Sequence, residues 1–141
     1  MRLAILALLA PSLAAAAPAG SDLTVRFENL RSGKGSVRVC LTQNARYFPD
    51  CKDDPAARKM LIPARDGIAH FRGIPPGQYA LSAFHDENGN GKLDKMAIMP
   101  REGFGFSRNP VIRFGPPKYD DARFSVGAGQ SEQKVKLRYM L

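Results

Sequence analysis

Apolar side chains recur at every second position along most of this chain, and that periodicity limits the folds open to it. Leu23, Val25 and Phe27 alternate with Thr24, Arg26 and Glu28. Successive side chains of a strand point to opposite faces, so a period of two means one buried face and one wet face. The pattern returns at Val37, Val39 and Leu41 against Ser36, Arg38 and Cys40, and at Tyr79, Leu81 and Ala83. Phe84 makes that third stretch apolar on both faces, as a central strand would be. Ala122, Phe124 and Val126 form a further strand, and Val135, Leu137, Tyr139 and Leu141 alternate with Lys134, Lys136 and Arg138.

Shorter pieces at 59–62, 68–72 and 111–114 bring the total to about seven strands. Glycine and proline punctuate them at 33–35, 66–67, 75–77 and 115–117. No segment longer than about ten residues keeps a helical period; residues 53–59 offer one helical turn, with Asp54 ahead of Pro55. The expected fold class is all-β: an immunoglobulin-like or transthyretin-like β-sandwich of about seven strands, with an up-and-down barrel as the competing closure.

The first residues set the compartment. Arg2, an apolar run over 3–13 and a small-residue tail over 14–19 read as a cleaved signal peptide, residues 1–19, ahead of one domain at 20–141. The run is too short to cross a bilayer, so no transmembrane segment is expected in the mature chain. The location implied is periplasmic or secreted. The formal net charge of +8 becomes +7 when Arg2 leaves with the leader, and favours anionic surroundings. Export sets nucleic acid aside, leaving an envelope protein, a glycan or an anionic lipid as partner. Cys40 and Cys51 are the only cysteines, with ten residues between them. In an exported chain they read as a disulfide, since a redox pair would want CxxC spacing.

Chemistry concentrates in Asp86-Glu87-Asn88-Gly89-Asn90-Gly91-Lys92-Leu93-Asp94. Asp86, Asn88, Asn90 and Asp94 stand at offsets 1, 3, 5 and 9, with Gly91 at offset 6, which is calcium-loop spacing. The expected metal set is Asp86, Asn88, Asn90 and Asp94 through side-chain oxygens and Lys92 through its carbonyl, with calcium as the cofactor. Offset 12 is Ala97 where an EF-hand has glutamate, and a strand leads in where an EF-hand has a helix, so this is not an EF-hand. Glu102, Asp120 or Asp121 is left to complete the shell. The competing reading is a plain hairpin, because Asn-Gly pairs form type I′ turns without metal.

His85 and Ser107 invite a catalytic reading, but no GxSxG elbow surrounds the serine. Catalytic residues are therefore expected to be none. Gly103-Phe104-Gly105-Phe106 with nearby Phe114 form either a lid on the core or a surface for a sugar ring or acyl chain. Arg26, Arg38, Lys134, Lys136 and Arg138 would line one sheet face if the first, second and last strands are neighbours.

Ile74-Pro75-Pro76-Gly77-Gln78-Tyr79-Ala80, the block from Phe84 to Asp94, and Glu102-Gly103-Phe104-Gly105-Phe106-Ser107 together resemble one exported bacterial family. It is catalogued as domain of unknown function twenty-one forty-one. Phe114-Gly115-Pro116-Pro117 and Asp121-Ala122 also fit, and the resemblance covers nearly the whole mature chain. The Pro-Pro-Gly-x-Tyr turn looks like those of carboxypeptidase regulatory-like and transthyretin-like modules. The resemblance implies export and a β-sandwich, and no established activity. Ile98 stands where the family often has glycine two residues before the proline, which bears on the loop after Asp94. The functional expectation is a non-catalytic binding or accessory module of the cell envelope with a calcium-binding loop. The alternatives are a periplasmic hydrolase or redox accessory enzyme, and an anionic lipid or polysaccharide binder.

Overall fold

The computed structural model describes residues 10–11, 20–91, 95–96, 99–100 and 102–140. The expected leader, apart from residues 10–11, lies outside them. Among the described residues ten strands follow in order: β1 (Ser21–Glu28), β2 (Ser36–Thr42), β3 (Arg58–Pro63), β4 (Ile68–Ile74) and β5 (Gly77–Asp86), then β6 (Lys95–Met96), β7 (Met99–Pro100), β8 (Phe104–Phe106), β9 (Phe124–Val126) and β10 (Gly129–Lys136). One sheet has the order β10-β1-β4. The other runs β3-β2-β5, with β8 and β9 each paired to β5 beyond it. Strands β6 and β7 form a separate ribbon. The fold is an all-β sandwich.

The alternation read from the sequence is the burial pattern of the molecule. Leu23, Val25 and Phe27 of β1, Val37, Val39 and Leu41 of β2, and Leu81 of β5 share one core with Val135 and Leu137. Each such apolar side chain, taken from water, contributes about 1.5–3 kcal/mol before entropy is charged against it. All described pairings in the two large sheets are antiparallel except β1 with β10, which run parallel with Ser21 opposite Gly129 and Glu28 opposite Lys136. Just past β10, Arg138 exchanges both backbone hydrogen bonds with Phe104, at 3.0 and 2.9 Å. This contact stitches the two sheets together along one side.

Strand β5 is central and buries both faces, as its sequence implied. On the outer face a second apolar cluster forms from Ala80, Phe104, Phe106 and Ala122, with Phe48, Phe84, Ile112 and Tyr119 packed on it. Cys40 points away from the inner face that Val39 and Leu41 share, so a partner must come from outside the sheet. Cys51 supplies it: the two lie at disulfide distance, Cα atoms 6.4 Å apart. The excursion between them thereby lies across the outer face, where Phe48 meets the rings of Phe106 and Tyr119 edge-on.

Three local expectations need correction. Residues 111–114 form no strand, and Val111 and Phe114 are exposed. Pro110 and the Gly115-Pro116-Pro117 run bracket the segment and leave it too short to pair. Ala122 belongs to a helical turn, α1 (Tyr119–Ala122), ahead of β9. No helix forms at 53–59 either, only one turn closed by the Ala57 N–H on the Asp54 carbonyl at 3.4 Å. Asp54 accepts the Thr42 hydroxyl at 2.5 Å and the Ala56 N–H at 3.0 Å, which ties that stretch to the end of β2. Within the excursion the helical turn is instead at Ala45–Tyr47, where the Asn44 side chain accepts the Arg46 N–H.

Candidate functional site

The acidic loop begins on the last residue of β5. Antiparallel register sets Asp86 opposite Ser36 and Phe84 opposite Arg38, so Arg38 and Asp86 are diagonal neighbours on one face. Arg38 Nε donates to Asp86 Oδ2 at 3.2 Å. Asp86 is fully buried, while the Arg38 side chain keeps 39% of its exposure. A buried carboxylate must be supplied with donors. The loop supplies two more: Gly91 N–H to Oδ2 at 2.8 Å and Asn90 N–H to Oδ1 at 3.2 Å. The Asn88 side-chain oxygen accepts from the same Asn90 N–H at 3.2 Å.

This curl needs left-handed backbone at Gly89 (φ 70°) and Gly91 (φ 76°), the region glycine enters without Cβ strain. Of the sequence-derived metal set, Asp86 and Asn88 meet at the Asn90 backbone N–H through their side-chain oxygens, whereas Lys92 and Asp94 lie outside the described residues. Among the described residues, no three His, Cys, Asp or Glu side chains gather as a metal-ligand group. Of the acids considered for completing a shell, Glu102 is buried. Asp120 faces Arg123 at 3.6 Å, and Asp121 accepts the Lys118 N–H at 3.1 Å.

Beside the loop lies a network that the sequence reading did not identify. His85 is fully buried. Its Nε2 is 2.6 Å from the Lys34 carbonyl, which can only accept, so Nε2 carries a proton. Its Nδ1 is 2.9 Å from the Tyr139 hydroxyl, whose oxygen accepts the Arg31 N–H at 3.2 Å. The Arg31 guanidinium sits 4.5 Å over the Tyr139 ring and pairs with Glu87 at 2.5 Å. Burial pushes the Glu87 carboxyl up, but the Arg31 and Ser32 hydrogen bonds and the nearby charge outweigh it and hold it below its ordinary value. Burial raises the Tyr139 phenol.

One signal for Tyr139 was present in the sequence. A tyrosine on an otherwise aliphatic stripe carries a hydroxyl that asks for a partner. Nothing in the sequence marks Arg31 and Glu87 as a pair, since 56 positions separate them.

The family model described as "uncharacterized protein conserved in bacteria (DUF2141)" matches residues 25–134. The chain belongs to the DUF2141 family. No curated protein and no solved structure matches it. The DUF2141 match takes in both sheets, from within β1 to within β10, and the whole acidic loop.

The other candidates in this DUF2141 domain have structural employment. Ser107 is fully buried; its hydroxyl donates to the Ala122 carbonyl at 2.5 Å and accepts the Leu81 N–H at 3.0 Å. It holds α1 against β5. Phe104 and Phe106 are buried in β8, but Phe114 is not. The expected basic face is divided. Arg26 and Lys134 are neighbours across β1 and β10, and Arg26 is drawn to Glu132 at 3.1 Å. Arg38 belongs to the other sheet and pairs with Asp86.

Proposed function

We propose that this DUF2141 domain is an exported, non-catalytic accessory module of the cell envelope whose Asp86 loop takes up calcium. One observation carries the reading. The Asp86 carboxylate gathers the N–H groups at offsets 5 and 6 of its own loop, curling it around the first expected ligand. Among the described residues Asp86 Oδ1 takes one N–H, and a carboxylate oxygen has capacity for a further partner.

The set of expected ligands contains two carboxylates, Asp86 and Asp94, and a guanidinium already sits on Asp86 Oδ2. Both features place affinity in the ~0.1–1 mM regime of extracellular modules. The non-catalytic part rests on the employment of the reactive groups: both His85 nitrogens, the Ser107 hydroxyl and the cysteines have structural partners.

Calorimetric titration of chelator-stripped protein with calcium chloride tests this. Saturation near twenty times Kd raises stability by about 1.8 kcal/mol, so the melting midpoint climbs several degrees. Asp86→Asn should lose both the heat and the shift. Absence of heat and shift in the parent protein removes calcium from the reading. A turnover abolished by His85→Ala would remove the non-catalytic part.

A further inference from the structure

The segment between β8 and α1 is pinned at one residue and turned outward at two others. Ile112 packs on the outer-face cluster with Tyr119 and Phe106. Val111 beside it is 73% exposed, and Phe114 is 101% exposed. Gly115 turns the tip with φ 87°, and Pro116 and Pro117 stiffen its return. Two large apolar groups are thereby held in water on an anchored loop. Only two other large hydrophobic residues among those described are exposed, Leu61 and Met140, and both are less so. A concentrated exposed apolar tip marks a contact surface.

Charge decides what kind of contact. Exposed Arg113 stands between Val111 and Phe114, and exposed Lys118 follows the two prolines. Over residues 108–123 four cations (Arg108, Arg113, Lys118 and Arg123) face two carboxylates. Those carboxylates are already engaged, Asp120 with Arg123 and Asp121 with the Lys118 N–H. Apolar side chains flanked by Lys and Arg suit an anionic bilayer surface, where rings enter the headgroup boundary and cations meet phosphate.

We propose that the Val111–Phe114 loop is a docking finger for anionic phospholipid membranes. Val111 and Phe114 enter the interface, and Arg113 and Lys118 contact lipid phosphates. The proposal is independent of the calcium reading, and its test is run in chelator so that the two fail separately.

Vesicles of phosphatidylglycerol with phosphatidylcholine, and vesicles of phosphatidylcholine alone, are sedimented with the purified protein at low and high salt. The expected result is co-sedimentation with the anionic vesicles, weakened by salt. Phe114→Ser, or Arg113→Glu with Lys118→Glu, should each cut partitioning roughly tenfold. These are surface changes, so the melting midpoint should hold and serves as the folding control. Absence of binding to anionic vesicles overturns the proposal, as does equal binding by parent and variants. So does self-association, lost in Phe114→Ser, without vesicle binding, because the occupant would then be a second copy of the chain.

Discussion

Replacing Arg38 by alanine tests the base of the acidic loop most directly, because it strands a buried charge. Asp86 has no solvent exposure, and without the guanidinium its carboxylate keeps the Asn90 and Gly91 N–H groups. Breaking a buried ion pair from one side costs about 3–5 kcal/mol. Arg38 is 39% exposed, so water already screens part of the attraction and about 2–3 kcal/mol remains. A domain of about 120 residues unfolds with roughly 250 cal/mol/K of entropy. The melting midpoint in chelator should therefore fall by about 8–12 °C.

Asp86→Asn should cost less, about 1–2 kcal/mol. It removes the buried charge, keeps an oxygen for the loop, and leaves a cation that can turn to water. Combining the two changes should bring back part of the loss seen in Arg38→Ala. With the competing cation gone, added calcium should rescue Arg38→Ala more than it stabilises the parent. Differential scanning calorimetry of the four proteins, with and without calcium, measures each term. If Arg38→Ala melts higher than Asp86→Asn, a stranded carboxylate does not govern this corner and the reasoning fails.

Tyr139→Phe removes the hydroxyl shared by His85 Nδ1 and Arg31 N–H, and should lower stability by about 1–2 kcal/mol in urea titration. An unchanged midpoint would show the network to be idle. A Cβ at Gly105 would lie 2.8 Å from Val135 Cγ1 and 2.9 Å from the Lys136 carbonyl oxygen. Gly105→Ala should therefore cost about 1–3 kcal/mol, read from the same titration; no loss would refute so close an approach of β8 to β10. Glu87 is held below its ordinary value of 4.5, so its contribution is present above that pH and is lost as pH falls through the lower folded value. Stabilities of parent and Glu87→Gln should differ at neutral pH and converge in acid, whereas a constant gap would contradict the pairing.

The fold was legible wherever a strand had one dry face. The inward residues of β1 and β2 could be picked by period alone, and the two-sided apolar character of β5 located the middle of the larger sheet. Residues 111–114 misled because their apolar content, which in an isolated segment suggests a strand, serves here to stand outward. The two short helical turns escaped because one turn carries too little periodicity to register. At the candidate site, the two Asn-Gly pairs marked a turn, and the chain turns at Gly89 and Gly91 with positive φ. Arg38 escaped because alternation assigns a residue to a face without saying which sheet that face belongs to. The partnership of His85 with Tyr139, 54 residues apart, depends on how distant strands come to lie side by side.

The parallel seam between β1 and β10 has a consequence for how the molecule is made. Its hydrogen bonds join residues more than a hundred positions apart, as where the Leu137 N–H donates to the Glu28 carbonyl at 2.9 Å. Such distant closures pay their loop entropy before returning any contact, so they form late and slowly. A nascent chain presents an open β1 edge and a half-filled interior until Val135 and Leu137 arrive. Anything that handles the chain before β10 docks meets a sticky, unfinished protein, and that one strand decides whether it closes.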